Sequence, residues 1–230
     1  MQMVILAGGL ATRLGDLALN IPKSMIRFRD KPFLQYQLEL LAAAGVRDIV
    51  LCTGHLGDQI ENYFGDGRQF GVRIQTSRET QPMGTGGALK KAEPFLKERF
   101  MVMYGDSYLH MNYQAVWAQH GEHPTDGLMT VYRNEDLYDP SNLEVENGYV
   151  SEYSYDKAKP RPYIDYGLTV LPKTVLRSFP EGKAFGLREI FQRLIGARRL
   201  RAYEVRNRFY EIGSRKGIES FQRRVDEEKV

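Results

Sequence analysis

A single cysteine, Cys52, occurs among 230 residues. That excludes a disulfide framework and points to a reducing, cytoplasmic location. Cys52 sits inside the apolar run Ile49 to Cys52, the setting of a small core residue rather than of a reactive thiol. Long hydrophobic runs are also missing. The longest, Met3 to Ala7 and Leu40 to Ala44, fall far short of the roughly 20 residues that cross a bilayer, so no membrane partner is expected. No charged segment precedes the first strand-like run, so no secretory leader is expected. Repeats and low-complexity stretches are absent. With 42% hydrophobic and 27% charged residues, the composition is that of an ordinary globular protein rather than a disordered, collagenous or coiled-coil one. Charge of one sign is scarcely in excess, at a formal +3. It is uneven, however: from Glu181 onward there are 13 Lys/Arg against 8 Asp/Glu. A solvated face or a homo-oligomer surface accounts for this basic tail better than a polyanion site does. The tyrosines 149, 153, 155, 163 and 166 lack the basic interleaving of a single-strand binder, so they read as sheet-face packing and no nucleic acid is expected as a partner.

The length suits one α/β domain with some elaboration. In the first half, strand-like and helix-like patterns alternate. Met3–Ala7 is a fully apolar strand ending in Gly8-Gly9. Phe33–Ala44 carries a helical apolar face and stops at Gly45. Strands follow at Asp48–Thr53, Val72–Thr76 and Phe100–Tyr104, with helices at Asp58–Phe64 and Gly87–Phe95 between them. This βαβαβαβ order predicts a doubly wound parallel sheet, whose ligands bind beyond the carboxyl ends of the strands. The second half reads as strands at Thr130–Tyr132, Leu143–Glu146, Val150–Tyr155, Tyr163–Leu171 and Leu200–Val205, with helices at Leu187–Ile195 and Ser214–Val225. Asn147-Gly148 marks a hairpin, and Ser214 is placed to cap the last helix. No linker separates the halves. A single domain over 1–230 with one continuous sheet is expected, residues 1–110 forming a nucleotide-binding half.

Three strand-end loops hold the least ordinary residues. The first runs Leu6-Ala7-Gly8-Gly9-Leu10-Ala11-Thr12-Arg13-Leu14. Adjacent glycines let the backbone approach a ligand and present N–H groups. Thr12 adds a hydroxyl, Arg13 a cation that can fork onto phosphate oxygens, and Lys23, after Pro22, a second cation. The spacing matches neither the Walker A nor the dinucleotide glycine pattern. In the second loop, Gln81-Pro82-Met83-Gly84-Thr85-Gly86-Gly87 opens a helix with small residues that a flat base could lie against. The third is Gly105-Asp106-Ser107. One carboxylate at a strand end suits a hard divalent cation, Mg²⁺ needing only one or two such ligands besides phosphate and water, though a turn-capping aspartate would look the same. The pair His120/His123 lacks the further ligands a zinc site needs.

Together these stretches resemble the signature of the sugar-1-phosphate nucleotidylyltransferases, the nucleoside-diphosphate-sugar pyrophosphorylases. That signature runs roughly L-A-G-G-x-G-T-R-L-x-P-L-T, then P-K-x-M/L, then P-L-G-T-G/A-G-A-L. Here Ala11 replaces a glycine, and Gly15-Asp16 stands where x-Pro is usual. The resemblance implies a GT-A-like, Rossmann-related three-layer sandwich with a mostly parallel mixed central sheet. It implies nucleotide binding by Leu6, Ala7, Gly8, Gly9, Thr12, Arg13, Lys23, Gln81, Gly84, Thr85 and Asp106, with Arg13, Lys23 and Asp106 catalytic. Mg²⁺ is the implied cofactor, held by Asp106 and by a late carboxylate in a W/F-x-D-I/T-G pattern. The match to that pattern is Phe209-Tyr210-Glu211-Ile212-Gly213, with Glu211 in place of Asp. Sugar phosphate binding is implied for Gly105, Lys157, Asp165 and Gly167, with Lys159 and Arg161 competing with Lys157 for the phosphate.

The implied reaction joins a nucleoside triphosphate and a sugar 1-phosphate into a nucleotide-sugar and pyrophosphate. The sugar phosphate oxygen attacks the α-phosphorus in line. It is already anionic, so positioning and charge neutralisation suffice. The short chain is most similar to guanylyltransferases for manno-heptose or mannose 1-phosphate and to the uridylyltransferase for N-acetylmuramate 1-phosphate, with GTP and a manno sugar preferred. Two competing readings are a cytidylyltransferase for a non-sugar phosphate or phosphonate and a non-catalytic nucleotide-sugar sensor. A choline-like group would call for an aromatic or acidic cage near Asp165.

Overall fold

The computed structural model describes residues 1–9, 20–156 and 158–227. In chain order the strands are β1 Gln2–Leu6, β2 Arg27–Phe28, β3 Lys31–Pro32, β4 Asp48–Thr53, β5 Arg73–Arg78, β6 Arg99–Tyr104, β7 Ser107–Leu109, β8 Gly127–Arg133, β9 Leu143–Glu146, β10 Tyr149–Tyr153, β11 Tyr163–Pro172, β12 Leu200–Val205 and β13 Phe209–Glu211. The helices are α1 Phe33–Ala43, α2 Gly57–Phe64, α3 Gly84–Lys91, α4 Tyr113–Gly121, α5 Leu187–Gly196 and α6 Arg215–Glu227.

Nine strands form one sheet in the order β5-β4-β1-β6-β11-β8-β12-β10-β9. The first four run parallel. β11 enters antiparallel beside β6 and turns the rest of the sheet mixed. β1 is apolar from Met3 to Leu6 because both of its faces are covered. Met3, Ile5 and Ala7 pack with Leu34, Leu38 and Leu41 of α1 and Ile60 and Phe64 of α2. Val4 and Leu6 pack on the opposite face with Leu89 of α3 and Ile190, Phe191 and Leu194 of α5. Helices thus lie on both sides of the sheet, as the alternation of patterns predicts.

Most differences from the sequence-based expectations are at element ends. The third helix begins at Gly84 rather than Gly87, and its last stretch, Glu93–Phe95, is a separate 3-10 turn. Asn147 and Gly148 both have positive φ, at 51° and 78°, as a tight hairpin turn requires. Ser214 does cap α6, its Oγ accepting from the Gly217 N–H at 2.9 Å. The element with functional weight that local pattern did not reveal is a two-stranded antiparallel ribbon of β7 and β13, pairing Ser107 with Glu211. Each strand has three residues, too few for an alternation to register.

Parallel β1, β4, β5 and β6 all end on one edge of the sheet. The loops starting at Ala7, Gly54, Glu79 and Gly105 therefore open side by side. That edge is where a doubly wound sheet binds its ligands.

Candidate active site

Lys23 lies in a single 3-10 turn, Lys23–Met25, entered from Pro22. Its Nζ reaches across to Asp106 Oδ2 at 3.0 Å, so two residues far apart in sequence meet beyond the end of β6. The β7–β13 ribbon adds Glu211 to them, and the Ile212 N–H donates to the Asp106 carbonyl at 2.9 Å. The three charged groups close on one point. A Cβ placed on Gly213 would lie 2.8 Å from Glu211 Oε2, 3.2 Å from Asp106 Oδ2 and 3.6 Å from Lys23 Nζ. Glycine at 213 keeps that point free of side chain. Burial holds the Glu211 carboxyl above the usual carboxylate range. The Ser214 hydroxyl and Gly213 N–H pull it back down, and the charges of Asp106 and Asp139 raise it further. Glu211 is thus held by Ser214 Oγ at 2.6 Å and by the Gly213 backbone, not by a neighbouring arginine. Arg208 instead stacks on the rings of Tyr138 and Tyr210.

Gln37 is a supporting residue that the sequence pattern hid. It sits on the apolar face of α1, 1% exposed. Its Nε2 donates to the carbonyls of Tyr104 at 3.2 Å and Ser107 at 2.7 Å, one on each side of Gly105-Asp106. A buried amide spent on two backbone oxygens fixes the turn that carries Asp106. Gly105 packs directly on β1, where a Cβ would come within 2.6 Å of the Leu6 carbonyl oxygen.

On the nucleotide side, Leu6 and Ala7 are buried, Gly8 is half-buried against Gly54 and Glu79, and Gly9 is exposed. Thr12 and Arg13 lie outside the described residues. Gly84, Gly86 and Gly87 meet a partner within the chain. The N–H groups of Gly86 and Gly87 donate to the Phe185 carbonyl at 2.9 and 3.1 Å, and Thr85 Oγ1 accepts from the Leu187 N–H at 2.9 Å. A Cβ on Gly84 would be 2.6 Å from the Phe185 carbonyl oxygen, and one on Gly86 would overlap the Phe185 ring. The small residues of this motif therefore serve close packing of α3 on the segment before α5. Gly86→Ala is expected to cost about 3 kcal/mol of stability, read as a lower urea midpoint.

Gln81 is exposed. Two residues earlier, Glu79 occupies the space between the loops. Its Oε2 accepts from the Met83 N–H at 3.2 Å. Its Oε1 lies 3.1 Å from where a Cβ on Gly8 would be and 2.9 Å from one on Gly54. Burial raises the Glu79 pKa, with the Met83 N–H opposing. Glu79 is one of several acidic residues on exposed-looking stretches, and nothing in its local sequence distinguishes it.

On the other side of the edge, Asp165 and Gly167 lie where β11 bulges away from β8. Gly167 has φ of 107°, a conformation that side chains rarely adopt, and it faces Ser107 beside Asp106. Asp165 Oδ1 accepts from the Gly167 N–H at 2.9 Å, and Oδ2 accepts from the Tyr153 hydroxyl at 3.2 Å. Burial nevertheless pushes the Asp165 carboxyl up to about 6. It also raises the Tyr104 and Tyr153 hydroxyls, with the Asp165 charge adding to both, so they stay protonated donors. A carboxyl with a raised native pKa favours folding most while it is protonated. Its contribution is complete below about 4 and lost as pH rises through about 6. Asp165→Asn is expected to remove that loss, gaining stability relative to the parent at pH 7 over pH 4. Parallel urea titrations at the two pH values check this.

Lys157 lies outside the described residues. Its two competitors are engaged: Lys159 pairs with Glu144 and Glu152, and buried Arg161 pairs with Glu152 at 2.6 Å and donates to the carbonyls of Asp156 and Lys159. His120 is buried, its Nε2 against the Asp126 carbonyl. Among the described residues, no group of three or more His, Cys, Asp or Glu side chains is placed to hold a metal.

A family model described as nucleotidyl transferase matches residues 2–154. The chain belongs to this family. It is 30% identical over 93% of its length to D-glycero-alpha-D-manno-heptose 1-phosphate guanylyltransferase of Campylobacter jejuni, covering 95% of that protein. It is also 29% identical over 94% of its length to mannose-1-phosphate guanyltransferase of Gibberella zeae, but spans only 62% of that relative. Among solved structures, HddC from Yersinia pseudotuberculosis complexed with GMP-PN superposes with a TM-score of 0.81 at 26% identity, over 97% of this chain and 99% of that one. The fold of this nucleotidyltransferase is likewise that of a Bacillus anthracis protein described as a putative glucose-1-phosphate thymidylyltransferase, with a TM-score of 0.87, 19% identity and coverage of 100% and 97%. Among the described residues, no helix is long and apolar enough to cross a membrane.

Proposed function

We propose that this nucleotidyltransferase transfers a guanylyl group from GTP to a manno-configured sugar 1-phosphate. A phosphate oxygen of the sugar 1-phosphate attacks the α-phosphorus of GTP. The bond from that phosphorus to the bridging oxygen breaks, and pyrophosphate leaves. The observation that carries this reading is the meeting of Lys23, Asp106 and Glu211 at the carboxyl edge of the parallel strands. Lys23 supplies positive charge to phosphate oxygens, and the Gly8-Gly9 backbone with Thr12 and Arg13 cradles the triphosphate. Since the nucleophile is already an anion, the protein positions it and neutralises charge rather than removing a proton.

The donor set fits a divalent cation, Mg²⁺ by preference. Two carboxylate oxygens approach one point kept clear by Gly213, and oxygen ligands in that number suit Mg²⁺ with phosphate and water completing its shell. When bound, such an ion offsets the charge of the triphosphate. Asp106 and Glu211 would hold it.

Glu79 supports guanine as the base. Guanine presents two adjacent donors on one edge, N1–H and the N2 amino group, and a carboxylate offers two matching acceptors. Cytosine, uracil and adenine lack that donor pair. Lys157 takes the sugar phosphate, a role supported by the engagement of Lys159 and Arg161 elsewhere, and Asp165 accepts from sugar hydroxyls. The tyrosines near Asp165 raise the choline-like alternative. Against it, the Arg188 guanidinium lies 5.3 Å from the centre of the Tyr155 ring and would repel a second cation there. The deciding assay crosses four nucleoside triphosphates with mannose, manno-heptose, glucose and N-acetylmuramate 1-phosphates and phosphocholine, reading phosphate release with Mg²⁺ and pyrophosphatase. Release confined to GTP with manno sugars supports the reading. Release with CTP and phosphocholine, or none at all, overturns it.

A further inference from the structure

We propose that Tyr155 and Tyr153 set sugar specificity, forming with Asp165 a hydrogen-bond chain whose outer end offers only acceptor oxygens. The inference rests on the placement of Asp165 in the sugar site. A tyrosine hydroxyl has one proton to give. The Tyr153 hydroxyl gives its proton to Asp165 Oδ2 at 3.2 Å. The 3.0 Å contact between the Tyr153 and Tyr155 hydroxyls is then donated by Tyr155. Both protons are spent toward the carboxylate, so what Tyr155 presents outward is a lone pair.

Asp165 keeps the same polarity. As a carboxylate it only accepts, and its two internal donors, the Gly167 N–H and Tyr153, leave lone pairs over. Tyr155 is 61% exposed, and its ring stands edge-on at about 81° to that of Tyr153 with the two hydroxyls in contact. Arg188 on its ring ties it to α5. A sugar hydroxyl that donates to this end is matched. A group that can only accept, such as a fluorine or a carboxylate, meets lone pair against lone pair and leaves a polar group unpaired. The chain therefore favours neutral polyhydroxy sugars and rejects acidic ones.

The polarity is tested with mannose 1-phosphate and its monodeoxy and monodeoxyfluoro analogues at each ring position, using GTP as donor. The wild type is compared with Tyr155→Phe, chosen because that exposed side chain can lose a hydroxyl without unfolding the protein. At one position, the deoxy and deoxyfluoro analogues are expected to lose kcat/KM alike, by about 10-fold or more through KM. Tyr155→Phe should shrink that loss to within about threefold and leave KM for GTP unchanged. The proposal is overturned if the fluoro analogues recover activity over the deoxy ones, because the site would then be donating. It is also overturned if Tyr155→Phe leaves the hydroxyl-to-deoxy ratio as it was. Asp165→Asn separates the two levels. If it raises KM for mannose 1-phosphate while Tyr155→Phe does nothing, only this proposal fails. If it leaves that KM unchanged, or mannose 1-phosphate is not turned over, the sugar-site reading itself fails.

Discussion

Asp106→Ala is expected to lower kcat by about 100- to 1,000-fold while the protein stays folded. In the proposed reaction Asp106 would sit where the triphosphate's charge is offset, and groups of this kind contribute about 3–4 kcal/mol to the transition state. Its structural debt is small. The pair with Lys23 is partly solvated, the two side chains being 21% and 31% exposed, and pairs of this kind add up to about 1 kcal/mol. The turn itself is held by Gln37, by the Gly105 N–H to the Leu6 carbonyl and by the Ile212 N–H to the Asp106 carbonyl, none of which involves the carboxylate. The melting temperature should therefore move by only a few degrees. Measuring kcat and Tm on the same preparation decides the matter. Turnover near that of the parent removes Asp106 from the machinery, and a large fall in Tm makes it a fold residue.

Glu79→Gln should lower kcat/KM for GTP by about 10- to 100-fold, the discrimination a bidentate contact supplies. One carboxylate oxygen becomes an amide nitrogen, so a donor faces a donor on the guanine edge. UTP, which has one donor and two carbonyls there, should lose little or gain. The internal contact to the Met83 N–H survives, since the amide oxygen still accepts. Steady-state kinetics with GTP and UTP as competing donors give the ratio directly. An equal fall with both nucleotides would place Glu79 in loop support alone.

The two carboxylates show how unevenly the site was legible. Asp106 ends an apolar strand and is flanked by Gly105, so its position at the binding edge follows from alternation of strands and helices. Only the family pattern marks Glu211 in the sequence. Nothing local about Phe209-Tyr210-Glu211 marks a strand, because its partner β7 is remote in sequence and the energy of pairing is nonlocal. The second loop shows the opposite case. Gly84, Gly86 and Gly87 read as a ligand cradle, and within the chain they also pack closely on Met83, Lys183, Ala184, Phe185 and Gly186; a glycine made for close approach looks the same whether a ligand or another segment approaches. Nothing in the sequence marks Gln37 or Glu79, since a single polar residue carries no periodicity.

Local chemistry in the chain determined the parallel half and the edge of the sheet at which its loops emerge. Apolar runs closed by glycine can be satisfied only by burial on both faces, and that fixes where the loops emerge. Tertiary structure alone decided which side chains meet. Lys23, Asp106 and Glu211 converge because a short ribbon and a 3-10 turn cross between distant segments. Asp165 acquires its raised pKa and its tyrosine partners because the β9–β10 hairpin folds back onto β11. The same reason explains both outcomes: patterning is read one neighbour at a time, whereas a site is assembled from residues that become neighbours only after the chain has folded.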